Sequence, residues 1–191
     1  MDEMVLLRHG ETEWSKNGRH TGRTDLPLTP HGEDQARALT PVVKARTFGL
    51  VLVSPAARAR RTADLAGLTD YEIDPDLWEW DYGGYEGITT PRIREDRPDW
   101  YLWRDGVIPG ATPGESAADV GARADRVIAR ALREPGTVAL VAHGHFLRVL
   151  AARWLGLPPE DGRFFRLDTG TYSRTGFEHA KPVLLTWNAP V

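Results

Sequence analysis

Two short apolar runs in this chain each end in a histidine followed by a glycine. Met4-Val5-Leu6-Leu7 leads into Arg8-His9-Gly10, and Val138-Ala139-Leu140-Val141-Ala142 leads into His143-Gly144. Runs of this length and composition read as buried strands, which puts both histidines at strand carboxyl ends. In open α/β sheets that end faces the ligand crevice. A third run, Leu50-Val51-Leu52-Val53, ends at Ser54-Pro55 and opens a helix carrying Arg58, Arg60 and Arg61. With the three strands side by side, one crevice collects Arg8, His9, Arg58 and His143, an anion pocket with a nucleophile in it. Gly10 lets the backbone turn sharply and approach a bound group, where a Cβ would intrude.

The remaining chain alternates between strand and helix signals. Thr29-Pro30 starts a helix expected to run through Ala36 and Leu39 toward Ala45, since threonine caps free amides and proline suits the first helical position. Asp74 through Gly87 is turn-rich and aromatic, and is expected to form a loop over the crevice. Thr90 to Arg97 reads as a short helix stopped by Pro98, and Pro109 to Gly114 as a loop. Ser116 with Asp119 resembles a capping box for a helix reaching about Arg133. Phe146 to Leu155 reads as a helix stopped by Gly156 and Pro158. Gly170 to Phe177 and Val183 to Trp187 read as the final strands. The alternation predicts an α/β three-layer sandwich, a mostly parallel central sheet with helices on both faces.

At 191 residues the chain suits one domain, 1–191. Its net charge of −3 argues against a nucleic-acid partner, which calls for a basic surface, so any cation cluster is local. No cysteine is present, which excludes disulfides and thiolate metal sites. The acidic amino terminus enters the first strand without a basic n-region, and no uncharged stretch approaches a membrane-spanning length. A cytoplasmic protein with no membrane partner is expected.

These residue types suit phosphate chemistry. Arginine offers a planar, permanently charged fork to phosphate oxygens, which makes Arg8 and Arg58 the expected clamps. A neutral imidazole is a nucleophile at physiological pH, so His9 is expected to form a phosphohistidine. A unit charge about 4 Å away contributes roughly 4 kcal/mol at an effective dielectric near 20, so a close arginine should keep His9 neutral before substrate arrives. His143 is expected to donate to the transferring oxygens. A metal site competes for any histidine pair, but His143-Gly144-His145 lacks the acidic neighbours and spacing of a zinc helix, and the arginines would repel a cation. Neither a dinucleotide fingerprint nor a phosphate-loop Gly-Lys-Ser/Thr occurs, so no cofactor is expected.

The order of blocks resembles the histidine phosphatase superfamily, which includes the cofactor-dependent phosphoglycerate mutases. The blocks are Leu7 to Trp14; Gly22, then Asp25 to Thr29 with Gly32; Ser54-Pro55 with Arg58-Ala59; Glu79 with Gly83 and Glu86-Gly87; and Ala142-His143-Gly144. Trp80 to Gly87, Trp103 to Gly106 and His143-Gly144-His145 look most like a branch of acid phosphatases and sugar-bisphosphate phosphatases. The resemblance implies a phosphoglycerate mutase-like fold and gives His9 and His143 the roles above. It places Glu79 as general acid, protonating the leaving oxygen and then activating water. Asp81, two residues on, would point to the same side of a strand, so spacing leaves it open as the rival.

The resemblance also brings Thr21 and Gly22 toward the phosphate, with Arg23 free for a second anionic group. Ser15 stands where many members have asparagine. Tyr82 and Arg104 are expected on the substrate side of the crevice, and His145 either supports His143 or binds substrate. His20, His31 and His179 have no assigned role. Mutases of the family carry an arginine pair after the tryptophan that is here Trp103; Arg104-Asp105 in its place favours a phosphatase. A mutase and a non-catalytic phospholigand-binding module remain the alternatives. The expected partner is a small phosphorylated metabolite, with a sugar bisphosphate suggested by the resemblance; a homodimer stays open.

Overall fold

The computed structural model describes residues 1–191. Its centre is one six-stranded sheet in the order β3-β2-β4-β1-β5-β6, with β1 Glu3–Arg8, β2 Phe48–Val53, β3 Glu72–Ile73, β4 Thr137–Ala142, β5 Tyr172–Glu178 and β6 Lys181–Ala189. Strands β1 to β4 are mutually parallel, and β5 pairs antiparallel with both β1 and β6. The helices are α1 Glu13–Lys16, α2 Pro30–Ala38, α3 Thr40–Lys44, α4 Ala57–Ala66, α5 Thr90–Asp96, α6 Leu102–Asp105, α7 Ala117–Ala131 and α8 Gly144–Trp154. Short 3₁₀ turns cover Pro75–Leu77 and Pro159–Phe164.

The two-residue period of the strands divides the core. Met4 and Leu6 join Leu50, Leu52, Val138 and Leu140 beneath α7 and α8, while Val5 and Leu7 join Val51, Val53, Ala139 and Val141 beneath α3 and α4. Burial on both faces explains why these strands read as continuous apolar runs. The expected three-layer arrangement is therefore present.

Three local expectations are corrected. The helix from Thr29 ends at Ala38 and restarts at Thr40, because Pro41 lacks the amide that would bond the Arg37 carbonyl. The aromatic 74–87 segment forms a wall rather than a cover: Trp80, Tyr82 and Tyr85 are buried in the α7–α8 core. At Gly10 the close approach is to protein, since a Cβ there would strike the Gly32 carbonyl, and Gly10 does not take a positive φ. The two capping expectations agree with the structure. Thr29 accepts from Gly32 N at 3.0 Å, and Ser116 and Asp119 form a capping box on α7.

Candidate active site

Strand register builds the site. Arg8 pairs with Ala142 and Val53 with Val141, so the residues that follow three adjacent parallel strands, His9, His143 and Ser54, emerge together. Backbone bonds extend the ladder one step further, from His9 N to Ala142 O at 3.1 Å and from Ser54 N to Val141 O at 3.0 Å. The imidazole rings of His9 and His143 then stand edge to face, 5.1 Å apart. Beside them opens a cavity of about 240 Å³ whose lining includes Arg8, His9, Arg19, His20, Thr21, Glu79, Tyr82, Gly144, His145 and Arg148.

His9 Nδ1 lies 2.7 Å from the Gly10 carbonyl, which can only accept, so the ring proton sits on Nδ1 and the Nε2 lone pair is left for attack. Burial, followed by the charges of Arg58 and Arg8, pushes this ring well below the usual histidine range. Neutrality is thus secured first by desolvation and only then by the arginines. An NMR titration of the ring, assigned by the signal missing in His9→Ala, should find His9 unprotonated at pH 6.5; a midpoint at or above 6.5 would refute this environment.

Arg8 donates an Nη1 hydrogen to the Leu167 carbonyl, while its buried Nε has no partner. An ideal Cβ at Gly144 would lie 3.1 Å from the guanidinium carbon, so any larger residue at the start of α8 would press on this arginine and shift it by a few tenths of an ångström. Arg58 is placed differently from the expected clamp. It is fully buried behind the cavity and donates to His143 Nδ1 at 3.3 Å and to the carbonyls of Thr24, Gly22 and Thr21 at 2.9, 3.0 and 3.3 Å. Those bonds hold the 21–24 loop and leave one Nη1 hydrogen.

His143 is also buried, and its protonation state follows from its neighbours. Arg58 donates into Nδ1, so the proton is on Nε2 and goes to Ser54 Oγ at 2.6 Å. Burial first, then Arg58, holds its pKa well below the usual range. Both nitrogens are occupied, so the expectation that His143 donates to the transferring oxygens is revised: donation requires one of these contacts to be exchanged.

Glu79 reaches the cavity and Asp81 does not. Glu79 Oε1 accepts from Phe146 N at 2.8 Å and Trp80 N at 2.9 Å, and Oε2 accepts from His145 N at 3.0 Å. Helix α8 has no side-chain cap from His143, and this distant carboxylate supplies one. Residues 79–81 are not in a strand, so the same-side expectation for Asp81 fails. Its Oδ1 accepts from Thr112 Oγ1 at 2.5 Å and Gly83 N at 2.9 Å.

Three further expectations are corrected. Arg23 turns away from the cavity, over the Trp78 ring and toward Asp81 and Glu115 at 3.8 and 3.9 Å. The Gly22 amide is taken by the Glu86 carboxylate at 3.0 Å. Arg104 lies on the exposed side of α6, whose Leu102 and Trp103 are buried, and Asp105 at 2.8 Å and the Asp99 carbonyl use its donors. Thr21 and Tyr82 do line the cavity, and the Tyr82 hydroxyl meets His145 Nδ1 at 2.5 Å. Ser15 lines it as well, although its hydroxyl is engaged in the cap of α1 with Thr12. Sequence reasoning missed Arg19 and Arg148. The signal for Arg148 was its spacing, one helical turn after Gly144 on α8.

No group of three or more His, Cys, Asp or Glu side chains is placed to hold a metal ion, and no helix is long and apolar enough to cross a membrane. A sequence model described as "Histidine phosphatase superfamily (branch 1)" matches residues 4–190. The chain is 45% identical over 180 residues to an acid phosphatase of Mycobacterium tuberculosis, covering 92% of this chain and 87% of that one. It is 39% identical over 187 residues to sedoheptulose 1,7-bisphosphatase of Saccharomyces cerevisiae, covering 80% and 67%. A solved M. tuberculosis structure superposes with a TM-score of 0.92 at 42% identity, covering 99% of this chain and 98% of that one.

Proposed function

The chain belongs to the histidine phosphatase superfamily and is a phosphatase, and on that premise we propose that His9 is its nucleophile in the hydrolysis of small phosphate monoesters. One observation carries this reading: the free Nε2 lone pair of a neutral His9 lies in the same cavity as Arg8 and Glu79. In the first step Nε2 attacks phosphorus, the N–P bond forms, and the P–O bond to the leaving group breaks as Glu79 hands it a proton. In the second, water attacks phosphorus, Glu79 takes a water proton, and the N–P bond breaks to release phosphate and restore His9. The Nδ1 hydrogen stays on the Gly10 carbonyl throughout, which fixes the ring.

Arg8 lines the cavity and spends one donor on the Leu167 carbonyl, and its remaining donors contact the transferring phosphoryl oxygens. Arg58 and His143 act from behind: they fix the 21–24 loop and the far side of the His9 ring, with the remaining Arg58 hydrogen directed to phosphate. Thr21, Tyr82 and His145 border the rest of the substrate. The Arg104-Asp105 pair is self-satisfied outside the cavity, which favours hydrolysis over mutase chemistry.

A phosphate-release screen over small phosphorylated metabolites and an aryl phosphate, with excess chelator, tests the reading. Turnover undiminished by chelator is expected, with little phosphoglycerate mutase activity in parallel. Loss on chelation with rescue by a divalent metal would overturn the arginine-based mechanism.

A further inference from the structure

We propose that Gln35 is a positioning residue for the nucleophile: through the peptide between Gly10 and Glu11 it holds His9 in the tautomer that can attack phosphorus. The inference rests on the phosphatase reading above. It begins from a single peptide unit. The Gly10 carbonyl accepts from His9 Nδ1 at 2.7 Å, and the amide on the other edge of the same peptide, Glu11 N, donates to Gln35 Oε1 at 2.8 Å. A peptide is planar, and in its trans form the carbonyl and the N–H point in opposite directions, so anchoring one fixes the other. Hydrogen bonds in series also polarise one another, so the Glu11 bond makes the Gly10 oxygen a stronger acceptor for the ring proton. Glu11 N has no second acceptor, and Gln35 alone supplies this anchor.

The residue on one side of that peptide is glycine, which opposes its rotation least. Turned over, the peptide would present the Glu11 N–H to Nδ1 in place of the Gly10 oxygen. Nδ1 would then have to accept, the ring would carry its proton on Nε2, and the lone pair needed for attack would be lost. The Gly10 amide is held separately, by Thr62 Oγ1 at 3.1 Å, but it belongs to the preceding peptide and leaves the next one free to turn. Gln35 itself is fixed by packing. It is half-buried on α2, where an ideal Cβ at Gly170 would fall 2.5 Å from its Cβ and 3.0 Å from its Cδ. The Gly170 amide donates to the His9 carbonyl at 3.1 Å, so this side chain braces the backbone on both sides of the nucleophile. Gln35 does not line the cavity, so it acts on the reaction only through His9.

The test compares Gln35→Met, which keeps the side-chain length and removes the acceptor, with Gln35→Glu, which keeps an acceptor oxygen. Two readouts are taken: kcat and KM for an aryl phosphate, and the nitrogen chemical shifts of the His9 ring, assigned by the signals missing in His9→Ala. Wild type is expected to show a protonated Nδ1 and a bare Nε2. Gln35→Met should lower kcat by about tenfold or more, the scale of one hydrogen bond, with KM nearly unchanged. It should also bring up the ring form protonated on Nε2, and Gln35→Glu should restore most of the rate and the wild-type shifts. A merely structural role would lower stability and leave the ring shifts of the folded protein unmoved. Unchanged ring shifts in Gln35→Met overturn the proposal whatever happens to the rate, and so does an unchanged kcat. If Gln35→Met does not fold, Gln35→Ala is read in the same way, since it leaves no bulky group against Gly170. Normal turnover by His9→Ala overturns the nucleophile assignment itself, whereas the ring shifts judge Gln35 without any turnover.

Discussion

Replacing His9 by alanine should lower kcat for an aryl phosphate by on the order of 10⁴-fold or more, the scale on which enzymes lose activity with their nucleophile. The fold should survive. His9 is at the cavity wall, so solvent can occupy the space, and the variant loses one hydrogen bond, to Gly10 O, together with its contact to the His143 ring. Stability offers an independent readout with a definite sign. The folded His9 has its pKa depressed, chiefly by burial, while the unfolded residue titrates near 6.5. Below that pH the unfolded chain binds a proton that the folded protein refuses, so folding free energy is lost as pH falls from 6.5 toward the lower folded value. His9→Ala removes that contribution. Denaturant titrations from pH 7 to pH 5 should show a shallower decline than wild type, with His143, His145 and His20 retaining the rest of the slope. Normal turnover by the folded variant would end the proposed mechanism.

Glu79→Gln should separate substrates by leaving group. Nitrophenolate departs with little protonation, whereas a sugar alkoxide needs a proton, so phosphorylation of His9 should slow by on the order of 10²-fold or more for a sugar phosphate and much less for the aryl ester. Glutamine also cannot take the water proton in the second step. Given the aryl ester, the variant should release an initial burst of nitrophenol near one per active site and then turn over slowly, with phosphohistidine accumulating. Glutamine keeps one acceptor oxygen, enough for Phe146 N and Trp80 N, while its amide nitrogen replaces the oxygen that accepts from His145 N, so the start of α8 should keep part of its cap and lose one bond. Equal slowing of both substrates without a burst would count against Glu79. If Asp81→Asn gave the discriminating pattern in its place, the acid would move to Asp81 despite that side chain's bonds to Thr112 and Gly83.

What the sequence by itself determined is what short-range physics encodes. The apolar runs, with glycine and proline as punctuation, located β1, β2 and β4, and Thr29-Pro30 and Ser116/Asp119 located helix starts. The Arg-His-Gly and His-Gly strand ends implied an anion-binding nucleophile site, and the ordered blocks identified the family. The choice between Glu79 and Asp81 was illegible, because it depends on partners far along the chain. Glu79 is held by Phe146, 67 residues on, and Asp81 by Thr112, 31 residues on. Beside the Arg8 clamp, the sequence offers Arg23 and Arg104 only as substrate-side candidates, and the folded chain brings Asp81 and Glu115 to the first and closes Asp105 on the second. A charge's role depends on what else the fold buries within a few ångströms, because Coulomb and desolvation energies follow distance in space and not separation along the chain.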